Sequence, residues 1–101
     1  MKIDRITDNK AVITPENKID ISNCHELKDI LLALYNDGVN IVTIDFLKVR
    51  SIDSSGMGKI LLFQKKLKER QGELKIINIT SEHIRKMFAL IHLDKVITIE
   101  L

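Results

Sequence analysis

Short segments rich in β-branched residues alternate along this chain with longer segments whose apolar residues recur at helical spacing. Strands that alternate with helices favour a mostly parallel sheet with right-handed crossover connections. The sequence therefore predicts an α/β fold: one domain with a mixed, mostly parallel β-sheet and the element order β-β-α-β-α-β-α-β.

The predicted strands are separated by clear turn and helix signals. Asp8-Asn9 is a turn signal between the first two strands, which we expect to pair, and Pro15 ends the second. The nearly continuous apolar run Val39–Phe46 is typical of a strand that is covered on both faces. The predicted strands are residues 2–7, 10–14, 39–46, 74–79 and 95–101.

Three helices are predicted between these strands. Asn23, with Glu26 three residues later, has the spacing of a capping box at the first helix, and Ser22 is a competing cap. Ser81 is the expected cap of the third helix. The apolar face of the first helix consists of Cys24, Leu27, Ile30, Leu31 and Leu34.

Composition narrows the classes of function. The chain has 101 residues, enough for one domain with a modest core. Its 16 Lys and Arg residues nearly balance its 14 Asp and Glu residues, and only 4% of its residues are aromatic. We therefore expect neither nucleic acid nor a membrane surface as a direct partner. The apolar runs are also too short to cross a bilayer.

The cysteine and histidine content predicts neither a disulfide nor a metal site. Cys24 is the only cysteine, which suits a reducing compartment, and its place on an apolar helix face favours core packing. The N-terminal residues do not resemble a signal peptide. We therefore expect a cytoplasmic protein that holds no metal and no cofactor.

The most unusual segment is Asp53-Ser54-Ser55-Gly56-Met57-Gly58, at a strand-to-helix junction. One interpretation is helix capping alone, since Asp and Ser are favoured caps and Asp suits the positive end of the helix dipole. The two glycines favour a second interpretation, because each costs up to about 1 kcal/mol relative to Ala inside a helix. They leave the junction without side-chain bulk, so that another backbone or a protein surface can approach closely.

The same segment lacks the motifs of common catalytic and nucleotide sites. No third glycine completes a dinucleotide fingerprint, because Leu61 stands in its place, and no phosphate-binding P-loop is present. A serine nucleophile would need a base, and His25, His83 and His92 are in no recognisable arrangement. What remains is a hydroxyl at a helix N-terminus among small residues. That is what a protein kinase requires of a substrate, because the kinase supplies the base, metal and nucleotide.

The apolar strand Val42–Phe46, the segment Ile52–Gly58 and the apolar helix after it resemble the STAS domain of bacterial anti-sigma factor antagonists. The family pattern is an aliphatic residue followed by D-[ST]-[ST]-G-[LM]-G, which the segment matches throughout. Lys18-Ile19-Asp20 resembles an earlier G-[ED]-[LI]-D element of the family, with Asn17 where the family usually has Gly. Asn tolerates left-handed geometry, so the turn can survive this departure. The resemblance extends over residues 1–101, which we expect to form one STAS domain.

The resemblance implies a regulator that is not an enzyme. The unphosphorylated form of such a protein binds a serine-kinase anti-sigma factor, which then releases its sigma factor. The kinase inactivates the antagonist by phosphorylating the first hydroxyl residue of the motif, here Ser54, and a PP2C-type phosphatase reverses the reaction. Asp53 and Asp20 would lie beside the phosphate, and Ser55 and Gly56 would shape the docking loop. Chemistry alone does not distinguish Ser54 from Ser55 as the acceptor.

The helix after the motif indicates where a partner would bind. At 100° per residue, one face is predicted to enter the core; it consists of Met57, Ile60, Leu61, Phe63 and Leu67. Lys59, Leu62, Lys66 and Arg70 fall on the opposite side with Ser55. Leu62 is thus an apolar residue expected to point outward among cations. We expect Met57, Gly58, Lys59 and Leu62 to contribute to partner binding together with the motif.

A second class of function is a STAS domain that acts as a scaffold, or binds a small ligand such as a nucleotide, without being phosphorylated. A free Ser54 hydroxyl favours the phosphorylated class, since a scaffold does not need one.

Overall fold

A computed structural model describes residues 1–100, which form a main sheet of five strands, a second sheet of two strands and three α-helices. In chain order the elements are β1 (Lys2–Thr7), β2 (Lys10–Thr14), β3 (Asn17–Ile19), α1 (Cys24–Asn36), β4 (Ile41–Asp45), β5 (Val49–Ile52), α2 (Ser54–Lys68), β6 (Glu73–Ile77), α3 (Glu82–Leu90), a 3-10 helix (Leu93–Lys95) and β7 (Thr98–Glu100).

The main sheet has the strand order β1-β2-β4-β6-β7, with β1 antiparallel to β2 and the other pairs parallel. One isoleucine from each strand stands in the same row across the sheet: Ile3, Ile13, Ile44, Ile76 and Ile99. The three central members of this row are fully buried. Branched side chains at matching positions of neighbouring strands pack well, which favours this register. The predicted α/β class and the mixed, mostly parallel sheet are confirmed.

Strand β4 is fully buried on only one face. Val42 and Ile44 are completely buried, whereas Ile41, Thr43 and Asp45 on the other face are half-buried. The prediction that this strand is covered on both faces is therefore wrong. The period-two signal is hidden in the sequence because Ile41 and Thr43, on the less covered face, are themselves β-branched.

The small second sheet was not predicted. β3 and β5 pair in parallel, with Asn17 opposite Val49 and Ile19 opposite Ile52. Both isoleucines are buried. Asn17 adopts a left-handed backbone with φ of 64°, as expected of an Asn in place of the family's Gly. This sheet holds the segment before α1 against the segment before α2.

The start of α1 differs from the predicted capping box. The side-chain oxygen of Asn23 accepts a hydrogen bond from the Asp20 amide at 2.9 Å, and no side chain caps the helix. The Asn23 amide donates to the Asp20 carbonyl at 3.1 Å, so Glu26 does not bond it. Asn23 therefore stabilises the turn that precedes the helix. At α3 the predicted cap is confirmed, because the Ser81 hydroxyl accepts from the Ile84 amide at 3.2 Å.

Helices α1 and α2 pack side by side, and two predictions about α2 are wrong. Leu61, expected in the core, is 39% exposed. Arg70, expected on the outer face, is half-buried, with its guanidinium carbon 3.5 Å from the centre of the Tyr35 ring. It also donates to Asn40 Oδ1 at 2.6 Å and to the Val39 carbonyl at 2.9 Å. Arg70 thus fastens the end of α2 to the segment between α1 and β4.

The C-terminal strand is shorter than the predicted 95–101. Residues Leu93–Lys95 form the 3-10 helix, entered through a left-handed His92 with φ of 54°, and β7 begins at Thr98. Leu101, the last residue of the predicted strand, lies outside the described residues.

Candidate functional site

The segment from Asp53 to Gly58 forms the N-terminus of α2. Asp53 is the N-cap in an extended conformation, and its Oδ1 accepts a hydrogen bond from the Gly56 amide at 2.9 Å. Its carbonyl accepts from the Met57 amide at 3.0 Å. Asp53 therefore caps α2, as the sequence predicted.

Asp53 also joins the helix to the neighbouring loop. Its second carboxylate oxygen accepts from the Ile21 amide at 3.1 Å, and its own amide donates to the Ile19 carbonyl at 3.1 Å. One side chain therefore holds together the start of α2 and the loop that precedes α1. Two loops that are distant in sequence form a single surface.

The two glycines of the motif have different environments. A β-carbon on Gly56 would lie 2.6 Å from Cγ2 of Ile19 and 2.8 Å from its carbonyl oxygen, so the fold itself requires glycine there. A β-carbon on Gly58 would meet nothing within 4 Å. Packing within the described residues thus explains Gly56, and it does not explain Gly58.

Ser54 is the first residue of α2 and is exposed, while Ser55 is half-buried. The Ser54 hydroxyl has no hydrogen-bond partner among residues 1–100. Its amide belongs to the first turn of the helix, where backbone donors lack intrahelical acceptors and the helix dipole is positive. The position therefore presents a free hydroxyl in a place that tolerates an added anion.

Asp20 lies in the neighbouring loop, and its carboxylate is held locally. Asp20 Oδ1 accepts hydrogen bonds from the amide and the hydroxyl of Ser22, and Oδ2 is 3.3 Å from the Lys18 ammonium. The hydrogen bond from the Ser22 side chain, supported by Lys18, lowers the pKa of Asp20 below its ordinary value of 3.8. Asp20 is thus an anion that shapes the loop beside the motif.

The other predicted contact residues divide into buried and accessible ones. Met57 is only 8% exposed, and Gly56 is buried, so both support the site from inside. Lys59 is half-buried, and Leu62 is 66% exposed, as its outward position on the helix predicted.

Ile21 is a further candidate contact that the sequence pattern did not predict. This side chain is 66% exposed, in the loop that Asp53 binds. It stands three residues before Cys24, at the spacing of the buried face of α1, so the sequence pattern does not separate it from a core residue. Its hydrogen bond to Asp53 is what places it beside the motif.

Within residues 1–100, no group of three or more His, Cys, Asp or Glu side chains is arranged to hold a metal ion. None of the described helices has the length and apolar character needed to span a bilayer.

The sequence model of the family described as "Mlab, STAS domain" matches residues 4–99. The chain belongs to the STAS domain family. Among curated protein sequences, no significant match was found.

Solved structures share the STAS fold with this chain at low sequence identity. TM1081 of Thermotoga maritima is 24% identical with a TM-score of 0.87, over 96% of this chain and 83% of that one. The phosphorylated form of the Bacillus cell fate determinant SpoIIAA is 21% identical with a TM-score of 0.77, over 97% and 88%. A sulfate transporter family protein from Wolinella succinogenes is 13% identical with a TM-score of 0.77, over 96% and 80%.

The anti-sigma factor antagonist SpoIIAA in its unphosphorylated form is also similar, with 23% identity and a TM-score of 0.73 over 88% of this chain and 81% of that one. This structure therefore shares the STAS fold with the chain as well.

Proposed function

We propose that this STAS domain is an anti-sigma factor antagonist that is switched off by phosphorylation of Ser54. In its unphosphorylated form it binds a serine-kinase anti-sigma factor, which releases the sigma factor, and a PP2C-type phosphatase restores that form. The domain itself performs no catalysis and acts in the cytoplasm.

The observation that carries the proposal is the position of the Ser54 hydroxyl. It is exposed, makes no hydrogen bond within residues 1–100 and lies on the first residue of α2, directly after the Asp53 cap. Ser55 is half-buried, which favours Ser54 as the acceptor. A kinase can therefore reach Ser54 without unfolding any element of the domain.

Electrostatics explain how one phosphate would break the complex without breaking the fold. A phosphate adds a charge of about −1.5 to −2. The free amides at the start of α2 stabilise that charge, and the Asp53 carboxylate next to it adds to the negative field. A partner surface that fits a neutral hydroxyl would have to desolvate this charge, which costs several kcal/mol unless it is paired.

The phosphorylation test uses the protein, ATP, Mg²⁺ and each candidate kinase anti-sigma factor of the same genome, with intact-mass spectrometry as the readout. One added phosphate is expected on the wild type and on Ser55→Ala, and none on Ser54→Ala. A phosphate that persists on Ser54→Ala would contradict the assignment of the acceptor.

The binding test separates charge from size at the same position. Ser54→Asp should weaken binding to the anti-sigma factor by about a hundredfold or more, since several kcal/mol correspond to that factor. Ser54→Asn, which adds similar bulk without a charge, should weaken it much less. Both variants should keep the melting temperature of the wild type, which shows that the loss is not due to unfolding.

A second candidate is a STAS domain that serves as an unphosphorylated scaffold or small-ligand module. One observation favours considering it: a sulfate transporter family protein shares the fold, so the STAS fold is not confined to anti-sigma factor antagonists. Tight nucleotide binding by the isolated domain, with no phosphate accepted from any kinase, would support this candidate over the switch.

A further inference from the structure

An apolar groove runs between α1 and α2. Helix α2 is also the helix that begins at Ser54. The cavity has a volume of about 180 Å³. Leu31 and Phe63 form its buried floor, and Leu62 stands 66% exposed at its side. The residues that line the groove are Lys28, Leu31, Leu32, Lys59, Leu62, Phe63 and Lys66.

The charged residues of this groove are all cations. Lys28, Lys59 and Lys66 line it together with apolar residues and without a carboxylate. None of these three lysines forms an ion pair within residues 1–100, whereas Lys18, Lys48 and other lysines of the chain do. Lys66 lies over the Tyr35 ring at 4.8 Å from its centre, which holds its ammonium near the groove.

The size of the cavity limits what can occupy it. Pockets for whole small molecules usually have volumes of about 300–1,000 Å³. A cavity of about 180 Å³ is too small for a nucleotide but accepts one or two aliphatic side chains. Grooves between helices often bind an amphipathic helix, whose apolar residues at helical spacing serve as anchors. Cations around an apolar floor select a helix whose flanks are acidic.

We propose that this groove is the docking site for an acidic amphipathic helix of the anti-sigma factor, a partner assignment that rests on the proposed function. Leu62 lies eight residues after Ser54 in α2, or about 12 Å along the helix axis at 1.5 Å per residue. A partner that covers the Ser54 hydroxyl can therefore place a helix in the groove at the same time. Contacts in the groove contribute binding affinity, and the phosphorylation state of Ser54 controls whether the complex forms.

The test uses a synthetic probe, so its outcome does not depend on finding the kinase. The probe is an amphipathic peptide of about 18 residues, long enough to form a helix, with Leu at helical spacing and Glu on both flanks. A matched peptide carries Lys in place of every Glu. Titration into isotope-labelled protein should shift the amide signals of the groove residues with the acidic peptide only, and added salt should weaken the binding.

Two double variants reverse charges on α2: one changes lysines at the groove, and the other is the control. Lys59→Glu with Lys66→Glu, at the groove, should weaken binding of the acidic peptide by about tenfold or more. Lys65→Glu with Lys68→Glu makes the same change in net charge at exposed positions that do not line the groove, and should have little effect. Melting temperatures close to that of the wild type will show that both pairs fold.

The proposal would be overturned by equal binding of both peptides, by signal shifts away from the groove, or by an equal loss in both pairs of variants. Concentration-dependent self-association that Leu62→Asp abolishes would also overturn it, because the occupant would then be a second copy of the chain. Failure of the proposed function has a different signature, namely no phosphate on Ser54 and no kinase complex while the acidic peptide still binds.

Discussion

Gly56 lies so close to Ile19 that a β-carbon on the glycine would fall 2.6 Å from Cγ2 of the isoleucine. Ile19 belongs to β3 and is completely buried, so it has little freedom to move away. Contact between these two residues fixes how closely α2 approaches the small second sheet. The motif at the start of α2 is therefore part of the packing of the fold.

Replacement of the two motif glycines by alanine should have opposite effects on stability. Gly56→Ala should lower the free energy of unfolding by about 1–3 kcal/mol, because the new methyl group overpacks a tight site. Gly58→Ala should raise it by up to about 1 kcal/mol, since its β-carbon meets open space and Ala favours the helix. Urea denaturation of the two variants measures both changes.

The Gly58→Ala variant also tests why the motif has a glycine at position 58. If Gly58 is kept so that a partner can approach closely, Gly58→Ala will bind the anti-sigma factor more weakly although it is more stable. Unchanged binding by Gly58→Ala would show that the partner does not need that space.

Sequence patterns predicted the larger part of the fold and the helix cap at the candidate site. The alternation of β-branched segments with helical ones predicted the main sheet. The place of Asp53 directly before a helix predicted that it caps α2. The second sheet was missed because its strands are only three and four residues long, too short to show a period. The contacts of Ile21 and Arg70 were missed because they depend on tertiary hydrogen bonds, which no local pattern records.

Removal of the Asp53 side chain should affect two loops at once. Asp53→Ala should cost about 1–2 kcal/mol of unfolding free energy through the lost cap of α2. It should also speed hydrogen exchange at the Ile21 amide, which loses its acceptor. Ser81→Ala is the matched control: it removes the cap of α3 and should leave exchange at Ile21 unchanged. Slow exchange at Ile21 in Asp53→Ala would contradict the link between the loops.

Arg70 should contribute to stability through its shape as well as its charge. Arg70→Lys keeps the charge but loses the planar guanidinium. That group lies over Tyr35 and donates hydrogen bonds to both Asn40 and Val39. We expect a loss of about 1–2 kcal/mol in the free energy of unfolding. Lys68→Ala, at an exposed position two residues earlier, should change it by less than about 0.5 kcal/mol. Equal effects of the two substitutions would show that the Arg70 contacts do not stabilise the protein.

The carboxylate of Asp20 should make stability depend on pH in the acidic range. Hydrogen bonding from Ser22, with support from Lys18, lowers the pKa of Asp20 in the folded protein below its ordinary value of 3.8. A depressed pKa means that the unfolded chain binds the proton more readily. The stabilisation from this carboxylate is therefore complete at pH values above the pKa of Asp20 in the unfolded chain. It is lost as the pH falls through the pKa of Asp20 in the folded protein.

Ser22→Ala isolates the main cause of that shift. It removes the hydroxyl that donates to Asp20 but keeps the Lys18 contact, so the pKa of Asp20 should rise towards 3.8. Carboxyl-carbon NMR titration of the two proteins measures the shift directly.

Denaturation at a series of pH values should then show that the stability lost by Asp20→Asn is largest near neutral pH and shrinks in acid, where the wild-type carboxyl is itself protonated. A difference that stays constant down to the lowest pH would mean that the charge of Asp20 contributes nothing to the loop.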